Sequence, residues 1–396
     1  MSKQIKYSHL IPVLLSFFVM SFADLVGTGV DELKQSADTP RYVLQLIPFV
    51  ALIWYFLLSV PVGIWQDKIG KKKALNIGIL ITAIGLFIPI FGNTLVVILL
   101  AFSVLGIGNV IIQVSANPLL VDIVPEDKSS SFLSLSQFFK SIGSMVGPFV
   151  AGITGPWLAS LLGDTSEGAW RYGLYLFGAV ALVSWAWLSG VKVDETKNEG
   201  EKASLSSCFK LLGNNFILMM VMGIFLVVGI DVAMNSNIGN FLEFKIGIDA
   251  ETAKYGKSMY FFAKMIGTFV GAILLTKLSS RGFLIGSSML AIVALLALAF
   301  TQSEVMAWSI IFIISLGVSN IFPLLFSIAV GKMPERANEI SGLMMMAISG
   351  GAIIPFIVGY AMDMWLPGGI LVLVACAVYL LYLGLSPKTK NDKVLS

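Results

Sequence analysis

The chain has 396 residues, of which 57% are hydrophobic and only 12% charged. A soluble domain carries about 45–50% apolar and about 25% charged residues, so too few charges remain here to cover a water-facing surface. A soluble globular protein is excluded. The formal net charge of +3 does not mark a nucleic-acid binder, and the surplus Lys and Arg read as groups that orient a membrane chain.

The N-terminus opens with a short basic stretch, "MSKQIKYSH", followed by an apolar run to about Val30. That run is too long for the core of a signal peptide and shows no convincing small-residue cleavage site, so it reads as the first span. A spanning helix needs about 20 mainly apolar residues, and the runs that qualify number about twelve. They lie at 9–31, 43–66, 73–92, 94–123, 131–160, 170–190, 214–242, 254–277, 282–301, 304–330, 337–363 and 367–386. Residues 191–213, "VKVDETKNEGEKASLSSCFKLLG", are charged and poor in apolar residues. They read as a cytoplasmic linker between an N-terminal half, 1–190, and a C-terminal half, 214–396. With the N-terminus inside, Lys68, Lys71, Lys72, Lys73, Lys128, the linker lysines, Lys277, Arg281, Lys332 and Arg336 all fall on the cytoplasmic side. That excess predicts both termini in the cytoplasm of a multi-pass inner-membrane protein.

The fourth span contains "IIQVSANPLL", residues 111–120. Gln113 and Asn117 are four apart and share a helix face, whereas Ser115 points elsewhere. Pro118 loosens the backbone ladder at the same level and permits a bend. Cys208 and Cys376 lie far apart, and His9 is the single histidine. No Cys/His metal site follows, no cofactor site is visible, and the cysteines read as inert buried thiols. An enzyme would need a nucleophile with a base or a metal set, and neither is present. Nothing repeats as a channel filter ring.

The two halves resemble each other. "LGIGN" (105–109) returns as "LGVSN" (316–320), "VPE" (124–126) as "MPE" (333–335), and "GPFVAG" (147–152) as "IPFIVG" (354–359), in the same order and at nearly constant spacing. Asp24 in the first span and Asp231 in the seventh keep that spacing too. A tandem duplication of six spans is a transporter architecture, with the substrate site near the bilayer midplane.

Between the second and third spans the chain reads "GIWQDKIGKKK", residues 63–73. Gly63, Asp67, Lys68, Gly70, Lys71 and Lys72 follow the G-x-x-x-D-[RK]-x-G-[RK]-[RK] pattern of the major facilitator superfamily. Motif, span count, linker and repeat together make the chain similar to that family over essentially its whole length. The resemblance implies an all-α major facilitator fold that works by alternating access. The glycines allow close helix approach, and Asp67 is expected to accept hydrogen bonds from a neighbouring helix N-terminus and so stabilise one closed state. Within the superfamily, "QVSANP" resembles the fucose and glucose–galactose permease branch, as do "SQFFKSIG", which keeps Gln137 and Gly143, "NIFPLLFSIAV" and "SGLMMMAISGGAIIPFIVG". Two departures stand out. Proton-coupled members head the fourth-span signature with an acid, and this chain has Gln113, which does not titrate. They also carry a carboxylate late in the first span, where this chain aligns Thr28 and sets Asp24 about one turn earlier.

Asp24, Lys140, Asp231 and Lys264 fall inside predicted spans. Each such charge costs about 2.5–3.5 kcal/mol at a helix centre and so needs a partner or a function. The superfamily arrangement implies neighbours that pair Asp24 with Lys140 and Asp231 with Lys264. At about 1.5 Å per residue, Asp24 sits roughly 22 Å along its span and Lys140 about 14 Å along its own, so the first pair is poorly matched in depth. These four residues are the candidate ion-coupling groups. Gln113, Asn117, Gln137, Asn235, Asn237, Asn240 and Asn320 supply amides that both donate to and accept from sugar hydroxyls. Trp54, Tyr55, Phe138, Phe139, Tyr260 and Phe261 offer flat faces, with Trp54, Phe138 and Tyr260 the leading candidates. No Arg lies deep in the spans for a charged substrate. The reading is a monomeric secondary transporter of a neutral sugar-like solute, coupled by symport to a proton or sodium gradient. The alternatives are an exporter of amphipathic drugs, which would want a greasier cavity, and an uncoupled sugar facilitator.

Overall fold

The computed structural model describes residues 7–25, 46–92, 94–163, 169–193, 195, 204–253 and 255–386, and among them no strand occurs. In chain order the helices are α1 (Tyr7–Met20), α2 (Leu46–Ile69), α3 (Lys71–Phe87), α4 (Leu95–Ile123), α5 (Ser129–Phe149), α6 (Gly155–Leu161), α7 (Arg171–Gly190), α8 (Leu205–Lys210) and α9 (Asn215–Phe241). They continue as α10 (Ala250–Ala253), α11 (Tyr255–Leu274), α12 (Ser280–Phe300), α13 (Glu304–Val318), α14 (Ile321–Lys332), α15 (Ala337–Met346), α16 (Gly350–Met364) and α17 (Leu366–Leu385). A 3₁₀ turn, Ser21–Leu25, extends α1, and a π turn, Val150–Thr154, joins α5 to α6.

Ten helical stretches among the described residues are long and apolar enough to cross a membrane. The two remaining expected spans correspond to α5 and α11, which are 21 and 20 residues long but more polar. These are the helices that carry Lys140 and Lys264. Their polar faces turn into the protein: Ser134, Ser136 and Thr268 are fully buried.

The chain forms two compact units, 1–123 with 139–205, and 124–138 with 206–396. The second unit includes the first half of α5 because its serines are bonded there. Ser129 Oγ lies 2.6 Å from Ser327 Oγ, Ser130 Oγ lies 3.0 Å from Ser280 Oγ, and Ser131 Oγ donates to Ala272 O at 2.5 Å. In the same unit Asn214, Ser279 and Ser303 cap α9, α12 and α13 by accepting from Phe216 N, Gly282 N and Met306 N. Such caps satisfy backbone donors that a helix leaves free in its first turn.

The first unit is built around α4. A side chain at Gly106 would overlap the Ala51 backbone of α2, and one at Gly108 would overlap Thr82 of α3. These two glycines let three helices meet backbone to backbone, as small residues do in lipid, where helices gain nothing by hiding apolar surface from water. Pro118 has no N–H, which frees the carbonyl of Val114 four residues before it. Gln66 Nε2 of α2 donates to that oxygen at 3.3 Å, and α4 runs through the proline without a break in helix.

Gly106→Val is expected to force α2 and α4 apart and destabilise the protein by about 1–3 kcal/mol. Gly190, whose surroundings are open, tolerates Ala within about 0.5 kcal/mol. Thermal unfolding of both variants in one detergent measures the difference.

Candidate functional site

In the first unit the end of α1 narrows into the 3₁₀ turn that carries Asp24, which is exposed, whereas Ser21 and Leu25 on either side are buried. Ser144 Oγ of α5 donates to Asp24 Oδ2. No ion pair joins Asp24 to Lys140 among the described residues, which corrects the expected pairing. Ser144 stands four residues beyond Lys140 and therefore about 6 Å further along α5, the depth that Asp24 reaches. Close packing fixes this register: a side chain at Gly143 would overlap Ser21 Oγ. Lys140 itself is half-buried. Thr28 lies outside the described residues.

A second cluster lies between α2 and α4. Tyr55, Asn109 and Gln113 are 3%, 2% and 6% exposed. The Tyr55 phenol oxygen accepts from Asn109 Nδ2 at 2.8 Å and from Gln113 Nε2 at 2.6 Å. Asn117 Nδ2 turns back onto its own helix and donates to Gln113 O at 2.7 Å. Trp54 Nε1 donates to Ser103 Oγ at 3.0 Å, which ties the indole to the α2–α4 interface.

In the second unit the expected pair is present. Lys264 Nζ lies 2.5 Å from Asp231 Oδ2, and the two side chains are 22% and 25% exposed. Tyr260 O–H donates to Asp231 Oδ1 at 3.0 Å, and Ser315 Oγ holds the Tyr260 carbonyl at 2.7 Å. Tyr260 is 1% exposed, so its ring is core rather than a platform for a pyranose. Asn235 is one turn from Asp231 on the same face of α9, and its buried Oδ1 has no partner among the described residues. Asn237 donates to Ala233 O at 3.0 Å and borders a crevice lined by Met234, Phe241, Leu298 and Val358, an apolar setting. Asn240 lies in α9, and its side chain is outside those described. Asn320 Nδ2 donates to Gly267 O at 2.8 Å and is packed where a side chain at Gly271 would sit, so it joins α11 to the start of α14. Gln137 and Phe138 are half-buried, and the Phe138 ring centroid is 5.1 Å from that of Phe269.

The motif between α2 and α3 is held by residues outside it. Gly63 is buried in α2, Asp67 is half-buried and Lys68 exposed. Gly70 has φ +95° and opens α3. The Glu195 carboxylate accepts from Lys71 N at 2.5 Å and Lys72 N at 3.2 Å, so a linker acid caps the helix. A side chain at Gly70 would collide with that carboxylate. Lys71 Nζ lies 2.6 Å from Asp122 Oδ2, with the side chains only 4% and 9% exposed. Lys72 Nζ donates to Ser189 O at 3.2 Å. The other end of the linker is also docked rather than free. In α8, Cys208 is fully buried, Ser207 Oγ donates to Glu339 Oε1 at 2.6 Å, and Arg336 bridges Glu339 and Ser207 O.

The sequence pattern does not single out Ser144, Asp122 or Glu195, and it marks Asn109 only as part of the repeat. Asn109 carried a usable signal, since it stands one turn before Gln113 on the same face. Glu195 carried none, because its partner is 124 residues away.

Residues 13–356 match the Major Facilitator Superfamily profile. A glucose/galactose transporter of Brucella abortus is 29% identical over 381 residues, covering 93% of this chain and 90% of the relative. The L-fucose-proton symporter of Escherichia coli is 24% identical over 390 residues, covering 90% and 88%. In fold, the chain is similar to the crystal structure of FucP in the outward conformation, with a TM-score of 0.79 and 20% identity over 95% of this chain and 97% of the other. It is also similar to the proton:xylose symporter XylE, with a TM-score of 0.71 and 14% identity over 95% and 94%.

Lys71→Met leaves the Asp122 carboxylate buried without its cation, and a loss of about 3 kcal/mol is expected. Lys71→Met combined with Asp122→Leu is expected to recover most of it. A double-mutant cycle on detergent thermal unfolding measures the coupling.

Proposed function

The chain belongs to the Major Facilitator Superfamily, and on that premise we propose that it carries a neutral sugar across the inner membrane by proton-coupled symport. It is a multi-pass membrane transporter and not an enzyme. The relatives whose names mention a substrate are transporters of glucose, galactose, mannose or fucose, which favours a monosaccharide over an amphipathic drug. The relative whose name states a coupling ion is a proton symporter, which favours a proton over sodium. The Lys and Arg distribution supports cytoplasmic termini, and a monomer suffices because each half brings its own polar cluster.

The observation that carries the coupling assignment is the unequal bonding of the two deep acids. Asp231 is held at both carboxylate oxygens, by Lys264 and by Tyr260. Protonating it would break an ion pair, so Asp231 is the fixed charge. Asp24 is exposed and accepts from a neutral hydroxyl, Ser144. A proton added there neutralises a carboxylate without stranding a cation, and Ser144 Oγ falls back on Lys140 O, 3.1 Å away. Lys140 stands one turn from Ser144 on the same face of α5. Gln113 cannot titrate, so the protonated group of the first unit is Asp24 rather than the head of the fourth-span signature. Sugar contacts are assigned to Gln113 and Asn117 in the first unit and to Asn235 and Gln137 in the second. Asn237 and Asn320 serve helix packing.

Asp24→Asn mimics the protonated acid. In proteoliposomes it is expected to keep sugar counterflow and to lose concentrative uptake under an imposed proton gradient. Asp231→Asn is expected to lose both, through loss of folded protein. Undiminished accumulation by Asp24→Asn would move the coupling site elsewhere.

A further inference from the structure

Tyr55, Asn109 and Gln113 carry a hydrogen-bond count that does not close within the protein. A phenol oxygen has two lone pairs and one hydrogen. Both lone pairs of Tyr55 are taken by the amide N–H groups of Asn109 and Gln113. Its own O–H donates no hydrogen bond among the described residues, and the buried Asn109 Oδ1 has no donor there. Gln113 commits its amide nitrogen to Tyr55, which leaves its carbonyl oxygen as the acceptor of that amide. The outcome is an acceptor, a donor and a second acceptor on three side chains, each more than nine-tenths buried. Buried polar groups left in this state are costly, and native proteins meet that cost where a ligand completes the set.

The second unit shows that the arrangement is a choice of polarity. Tyr260 lies in α11, the expected span that follows the Asp231 span, and Tyr55 lies in α2, the expected span that follows the Asp24 span. Tyr260 spends its hydrogen on Asp231 at 3.0 Å. Tyr55 instead accepts twice and keeps its hydrogen. Asp24 is hydrogen-bonded to Ser144.

We propose that Tyr55 and Asn109, together with Gln113, form a hydroxyl-reading subsite of the first unit, in which Tyr55 donates to one sugar hydroxyl and the two amide oxygens accept from that hydroxyl and its neighbour. The chemistry fits a neutral vicinal diol, since each hydroxyl both donates and accepts. A carboxylate or phosphate would face two acceptor oxygens and is rejected. Gln113 is the most accessible of the three at 6%, so the sugar meets the array from its side. This assignment rests on the sugar reading above. It adds two residues and a rule of recognition.

The test is counterflow by the full-length protein in proteoliposomes, with glucose, galactose and their monodeoxy analogues. Wild type is expected to discriminate against one or two deoxy positions. Tyr55→Phe removes one donor and is expected to raise KM about tenfold. It should do so with a smaller change in kcat and with loss of discrimination at one of those positions. Asn109→Ala is expected to abolish discrimination at the same or the adjacent position, and it serves if Tyr55→Phe does not yield folded protein. An unchanged deoxy ranking in both variants, or a uniform fall in kcat with KM preserved, overturns the assignment and leaves the sugar reading intact. A wild type that exchanges none of the sugars overturns both.

Discussion

Every polar group placed within an apolar surround has to find its partner inside the protein, and this requirement organises the whole chain. Lipid offers no water to a stranded charge or carbonyl. The carbonyl that Pro118 frees is met by Gln66. Lys71 is met by Asp122, and Lys264 by Asp231. The serine-rich face of α5 is spent on Ser327, Ser280 and Ala272. Among the buried atoms that still lack a partner among the described residues are Asn109 Oδ1 and Asn235 Oδ1.

The same logic makes the linker part of the fold. A carboxylate at a helix N-terminus meets unsatisfied N–H groups and the positive end of the helix dipole. Glu195 takes that place on α3, and Gly70 has no side chain because the carboxylate occupies the space. At the far end, α8 inserts Cys208 and locks Ser207 onto the Arg336–Glu339 pair. The composition of residues 191–213 suggested a spacer, because charge and low hydrophobicity are what spacers show. Individual charged residues nonetheless have specific partners, and composition is blind to them.

The duplication supplies two scaffolds with different electrical content. Asp24 and Asp231 stand at corresponding places in the repeat, and each has a tyrosine on the next expected span. In one unit the tyrosine and a lysine neutralise the acid. In the other the acid takes a serine, and the tyrosine serves two amides. This asymmetry separates an acid held in an ion pair from an acid held by a neutral hydroxyl. An acid at position 113 would reverse the Tyr55 bond, since the phenol would then donate to it.

Much was determined by the sequence alone: a polytopic helical membrane protein, two halves, the motif between α2 and α3, and the amide-bearing face of α4. These properties are local or periodic. Span length, the four-residue spacing of Gln113 and Asn117, and the order of repeated tripeptides are all set by helix geometry and can be read from neighbours in the chain. The tertiary structure decided the partners. It placed Ser144, not Lys140, against Asp24, because helix register depends on the contact of Gly143 with Ser21. It brought Asn109 and Gln113 onto one phenol, and it set Glu195 on a helix 124 residues upstream. A hydrogen bond needs its atoms within about 3 Å, and a shift of one helical turn moves a side chain by about 5.4 Å. Sequence pattern resolves the turn, and only packing resolves the atom.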